Sequence, residues 1–242
     1  MKNLSKITAV IILFLLISCK DESNKPKVTY EKPTQAILVP KKDPLQIRVA
    51  DLPFQMPGTN YLIYPIADLS ISGGSLKTRS ESSANANEVN FKISNYSEYE
   101  ITGYLRNMQF QEIGNDSLRP LSLKPLLIQT ATYLKSVSDR AKQQLMAYTL
   151  ADMDTNKDGK LDENDVKSLY LSEISGERFT KISADFQELI DWKLIESRNR
   201  LYYRTIEDNN KNGYFDKSDV IHYHYIDLST KEWNISDYNP VR

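Results

Sequence analysis

The sequence predicts a mainly β fold built from repeated antiparallel sheets with polar loops in their hairpins. Its alternative is an α+β chain in which the same loops join helices. Three observations carry this expectation. Short apolar runs rich in β-branched and aromatic residues recur along the chain: NYLIYPIADLSI from Asn60, NEVNFKISN from Asn87, RLYYRTI from Arg200 and VIHYHYIDL from Val220. Tyrosine occurs 15 times and glycine 8 times, a balance that suits half-buried strands better than low-complexity sequence. Finally, the chain repeats itself around two polar stretches, DTNKDGKLDEND from Asp154 and DNNKNGYFDKSD from Asp208.

The repeat extends well beyond the loops. One copy spans residues 145–183 and the other 201–236, and each runs from an apolar stretch through Thr-x-x-Asp and the loop to Asp-Val. A second apolar stretch, a turn, an aromatic residue and Ile-Ser complete the unit. The second copy alternates as strands do on both sides of its loop, which argues for strands around the first. SVSDRAKQQLMAYTLADMD also allows an amphipathic helix, and periodicity does not decide between the two. A loop-free relative, NFKISNYSEYEIT, sets Glu98, Tyr99, Ile101 and Thr102 in the order of Glu232, Trp233, Ile235 and Ser236.

The N-terminus carries a different signal. Lys2 and Lys6 precede an unbroken apolar run from Ala9 to Ile17, shorter than the roughly 20 residues a spanning helix needs. The run ends in Leu16-Ile17-Ser18-Cys19, which resembles the lipobox of bacterial lipoproteins. That resemblance implies a signal peptide over 1–18, cleavage before Cys19 and lipidation of its thiol. Cys19 is the only cysteine in the chain, so an intrachain disulfide is excluded. The following CKDESN resembles the export tag of surface-exposed Gram-negative lipoproteins, and the expected location is the outer membrane, on its cell-surface or periplasmic face. Lysine, proline and small polar residues then predict a tether over 19–45, followed by a single mostly-β domain over 46–242. GGSLKTRSESSANANE, from Gly73 to Glu88, reads as a surface loop inside that domain.

LYLSEISGERFTKIS, followed by Asp191 and Trp192, resembles blades of the Tol-system type of β-propeller. The folded part is short for four or more complete four-stranded blades, so the expectation is limited to propeller-like sheets.

The polar stretches place oxygen-bearing side chains at alternate positions around a central glycine. Calcium takes six to eight oxygens at about 2.3–2.6 Å, and glycine permits the sharp turn that brings them inward. In the first stretch the donors are Asp154, Asn156, Asp158, the carbonyl of Lys160, Asp162 and Asp165. In the second they are Asp208, Asn210, Asn212, the carbonyl of Tyr214, Asp216 and Asp219. Leu161 and Phe215 are the apolar residues that seat each loop. The spacing resembles the EF-hand loop, with closing aspartates in place of its glutamate. Closing aspartates also resemble dockerins, whose loops are followed by helices and which dock onto partner proteins. Calcium loops in the hairpins of integrin-type propellers are the nearer likeness where strands flank the loop. Four carboxylates in the first loop and three in the second predict a weaker second site.

No motif points to catalysis. The two histidines, His222 and His224, lack a third zinc ligand at a recognisable spacing. There is no Gly-x-Ser-x-Gly elbow, phosphate-cradling glycine loop or Cys-x-x-Cys pair. With 31 basic and 32 acidic residues the chain has no general attraction for nucleic acid. The sequence therefore predicts a calcium-binding, membrane-anchored module for an unidentified protein or glycan partner, without an assigned catalytic residue. A hydrolase or carbohydrate-active protein and a dockerin-like assembly module remain the alternatives.

Overall fold

LMAYTLA, from Leu145 to Ala151, alternates between two apolar cores. Met146, Tyr148 and Leu150 point into one, while Leu145 and Ala147 point into the other. Successive side chains of a strand face opposite ways, so a strand buried on both faces must lie between two other layers. The fold is built outward from that strand.

The protein is described here from a computed structural model, which covers residues 26–30, 46–72, 75–77 and 93–241. In chain order the first strands are β1 (Gln46–Ala50), β2 (Phe54–Gln55), β3 (Tyr61–Ser72), β4 (Ser75–Lys77), β5 (Ser94–Tyr96) and β6 (Glu100–Leu105). There follow β7 (Asn107–Glu112), β8 (Arg119–Pro120), β9 (Leu127–Tyr133) and a short helix, α1 (Lys135–Ala141). The remainder comprises β10 (Leu145–Ala151), β11 (Ser168–Glu173), β12 (Thr180–Lys181) and β13 (Gln187–Ile195), then β14 (Arg200–Glu207), β15 (Val220–Asp227) and β16 (Ile235–Asp237).

These strands form three sheets, antiparallel throughout. The first runs β1-β3-β7-β8 with β2 and β4 also on β3, and the second runs β12-β11-β10-β9-β6-β5. The third is a four-stranded meander, β13-β14-β15-β16. Ile63, Leu69 and Phe110 of the first sheet meet Ile101, Ile128 and Tyr148 of the second in one core. Leu169 and Leu171 on the other face of the second sheet meet Leu201, Tyr203 and Ile226 of the third. The second sheet is thus the middle layer.

The mainly β expectation holds, and strands take the place of helices around both polar loops. The ambiguous stretch before Asp154 divides: SVSDRA lies in α1, which ends where Lys142 turns into the left-handed region at φ 58°, and LMAYTLA is β10. Val137 of α1 is fully buried in the second core. Ser75–Lys77, within the stretch expected to be a loop, pair with β3 as β4. The remainder of Gly73–Glu88 lies outside the described residues, as do the signal stretch 1–18, Cys19 and most of the 19–45 tether.

The turn after β11 touches the first sheet directly. Gly176 has φ +77°, and a Cβ there would stand 2.7 Å from a ring carbon of Phe110. Gly176→Ala combines backbone strain with overpacking and should lower stability by about 2 kcal/mol. A denaturant melt checks this, and an unchanged midpoint would mean the turn is not held against Phe110.

Candidate metal centre

Both polar loops close antiparallel hairpins. The first joins β10 to β11 beyond the pair Leu150–Ser168, and the second joins β14 to β15 beyond the pair Glu207–Val220. Each follows a long, well-paired strand, so the ends of each loop are fixed by the ladder before any ion is considered.

The loops share one backbone scaffold. Lys157 and Lys211 sit at φ 59° and 58°, and Gly159 and Gly213 at φ 83° and 87°. The leading aspartates turn inward to accept amide hydrogens. Asp158 N–H donates to Asp154 Oδ1 at 3.2 Å, and Asn212 N–H to Asp208 Oδ1 at 3.1 Å. Gly159 N–H and Gly213 N–H donate to the second oxygens of those carboxylates at 2.8 and 2.6 Å. Asn156 and Asn210 accept from the amides of Asp158 and Asn212, both at 2.9 Å. Asp158 and Asn212 in turn accept from Lys160 and Tyr214 at 2.9 and 2.8 Å. The closing residues match as well: Asp162 N–H donates to Asp165 Oδ2 at 2.9 Å, and Asp216 N–H to Asp219 Oδ2 at 2.8 Å. Such bonds fix each carboxylate in one orientation and leave further lone pairs on its oxygens.

Burial separates the two loops. Asp165 is fully buried and Asp162 nearly so, whereas Asp216 is exposed and Asp219 half-buried. Asp165 also accepts from Thr155 N–H at 2.8 Å, and among the described residues no lysine or arginine pairs with it. Burial pushes its carboxyl above the ordinary aspartate range, against the lowering effect of the amides around it. Asp208 is buried too. Leu161 and Phe215 are both half-buried at the loop bases, and Arg106 Nη1 donates to the Leu161 carbonyl at 2.8 Å.

An unanticipated segment lies across both loops. Pro26–Tyr30, inside the stretch read as tether, runs from one to the other. Lys27 N–H and Val28 N–H donate to the Gly213 carbonyl at 2.8 and 3.3 Å, and Thr29 N–H donates to the Thr155 carbonyl at 2.8 Å. The Tyr30 hydroxyl pKa is pushed up to about 12, by burial first and then by the Asp208 carboxylate. The only sequence signal for this docking is Val28, an isolated apolar residue among polar ones.

The donor set suits a hard cation in kind: carboxylate, amide and carbonyl oxygens, with no sulfur or imidazole. Carboxylates alone do not form a cage, since among the described residues no three His, Cys, Asp or Glu side chains cluster as a metal site. Asn156, Asn210, Asn212 and the Lys160 and Tyr214 carbonyls are the other oxygens that the two loops carry.

His222 and His224 lie on β15 with stacked rings 6.0 Å apart. Each is paired with a carboxylate, His222 Nε2 with Glu207 at 2.8 Å and His224 Nδ1 with Asp237 at 2.7 Å. With Asp219, Tyr223 and Tyr238 they line an open cleft of about 460 Å³. No protein-family model matches this chain, and no curated protein matches it.

Removing the Asp165 carboxylate strands the amides of Thr155 and Asp162. In metal-free buffer Asp165→Ala should cost about 1–3 kcal/mol, and Asp219→Ala, in the more open loop, clearly less. Chemical denaturation of the two variants side by side tests the difference; equal costs would sink the distinction between the loops.

Proposed function

We propose that this chain is a calcium-binding lipoprotein of the bacterial cell envelope, anchored through Cys19. Its calcium ions hold two hairpins of a propeller-like β domain, and its role is non-catalytic binding of a protein or glycan partner. The observation that carries the reading is the duplication of one acceptor scaffold, in five of its side-chain-to-amide bonds, in two hairpins far apart in the chain. Chance polar turns have no reason to share five side-chain-to-amide bonds and the same two positive-φ positions.

The chemistry follows from charge. Asp165 lies where water cannot screen it and is repelled by the Asp154 carboxylate, with Asp158 and Asp162 in the same loop. A divalent cation drawn between them relieves that repulsion and takes its remaining ligands from Asn156 and the Lys160 carbonyl. Asp208, Asp216 and Asp219 do the same with Asn210, Asn212 and the Tyr214 carbonyl, at lower charge and with more water around the closing Asp216 and Asp219. The second site is accordingly the weaker. Strands β11 and β15 follow the loops, which favours hairpin-stapling calcium over the helix-bearing dockerin arrangement. The third sheet, a simple meander packed face to face on the second, supports the propeller-like description.

A structural role suits the location. Extracellular calcium modules bind at about 10⁻⁴–10⁻³ M. An ion bound only by the folded form adds RT ln(1 + [L]/Kd), about 1.4 kcal/mol per site at tenfold excess over Kd. A disulfide-free chain outside the cytoplasm gains from that. The cleft beside the second loop, with Tyr223, Tyr238 and both histidines, is the face assigned to the partner.

Calorimetry with calcium alone should give two binding events, one lost in Asp158→Ala and the weaker one lost in Asp216→Ala. Saturation should raise the melting temperature by about 5–10 °C. No heat and no stabilisation at millimolar calcium would reduce the loops to ordinary turns. For the anchor, Cys19→Ser should abolish incorporation of labelled fatty acid and move the protein from the membrane to the soluble fraction. Retention of the label in that variant would exclude Cys19 as the lipid site.

A further inference from the structure

Pro26–Tyr30 bonds to backbone atoms that the candidate calcium loops themselves hold in place. Thr155 and Asn156 lie between the donors Asp154 and Asp158, and their carbonyls accept from Thr29 N–H at 2.8 Å and from the Thr29 hydroxyl at 3.0 Å. The Thr155 hydroxyl donates to the Lys27 carbonyl at 2.7 Å, and the same oxygen accepts from Val166 N–H at 2.9 Å. In the other loop, Gly213 is the residue at the turn; a Cβ there would fall 2.6 Å from the Val28 carbonyl oxygen and 2.7 Å from Pro26 Cβ. The approach is as close as a side-chain-free residue allows. Val28 itself is 2% exposed. Lys27 Nζ adds an ion pair with Glu188 at 2.9 Å, shared with Lys167 Nζ at 3.2 Å.

We propose that Pro26–Tyr30 is a calcium-dependent latch, docked when both loops are loaded and released when they empty. The inference rests on the calcium reading above. The carbonyls of Thr155, Asn156 and Gly213 converge on the strap only while both loops keep their tight form. Loss of the cation leaves each loop held by its side-chain-to-amide bonds alone, and those carbonyls are then less firmly fixed against the strap. Because one strap touches both loops, filling either one favours the docked state that the other prefers, and the two sites bind cooperatively. The latch also sets the reach of an anchor at Cys19. Docked, the strap fixes the chain at Pro26, seven residues from Cys19, a span of at most about 25 Å. Calcium thereby holds the β domain close to the membrane surface.

Hydrogen exchange on the full chain in detergent, in calcium and then in chelator, tests the latch. Calorimetry with calcium runs alongside on the wild type and on Val28→Asp. Amides of residues 27–29 should exchange at least about tenfold faster in chelator while those of β10 stay protected. Val28→Asp should exchange there rapidly in both buffers, bind calcium at least about fivefold more weakly and lose coupling between the sites. Two calcium events with unchanged exchange at 27–29 would overturn the latch and leave the calcium reading standing. Absence of any calcium event would remove both. Exchange that spreads through β10 in chelator would show global unfolding and overturn the latch as well. Wild-type affinity and coupling in Val28→Asp would do the same; should that variant fail to fold, the wild-type exchange decides.

Discussion

Burial of β10 on both faces constrains the rest of the molecule. A strand with Met146 and Tyr148 turned one way and Leu145 and Ala147 turned the other cannot be at a surface, so a sheet must cover each side. β10 is also the strand that leads into the first polar loop, and the covering third sheet supplies the second. The two loops owe their positions to this layering. A change that loosened β10 would act on both hairpins through the cores, without touching a candidate ligand.

Strands and loops differed in how legible they were. YLIYPIADLSIS and VIHYHYID announce themselves through β-branched and aromatic residues, and β3 and β15 lie where those runs stand. LMAYTLA was ambiguous because both of its faces are apolar: a strand buried on two sides loses the alternation that distinguishes it from a helix. The helix read into the same stretch is real but ends at Lys142, ahead of the strand. Layer order was not legible, since β7 and β8 return to the first sheet after β5 and β6 have joined the second. Register of that kind is decided by packing between residues distant in sequence, to which no local pattern is sensitive.

The turns of the two loops were legible, because oxygen-bearing residues at alternate positions around a glycine form a local pattern, and Gly159 and Gly213 do take up the positive-φ turn. Their inequality was legible only as a count of charges. The structure adds a second source of inequality, since Asp165 is sealed under its hairpin while Asp216 faces water. Docking of Pro26–Tyr30 left only one trace in the sequence, the isolated apolar Val28. The segment's polar composition is that of a tether, and three of the hydrogen bonds that hold it run from backbone to backbone, which leaves no mark on side-chain identity.

That docking imposes an order on assembly. The bond between Lys27 and Glu188 spans 161 residues, and the bond from Thr155 to Lys27 spans 128. Closing so long a segment costs entropy that the few contacts of the strap repay only once their acceptors are already in position. Both hairpins must therefore exist before Val28 has anywhere to go. The stretch nearest the N-terminus, first to be synthesised, becomes the last part of the described structure to find its place.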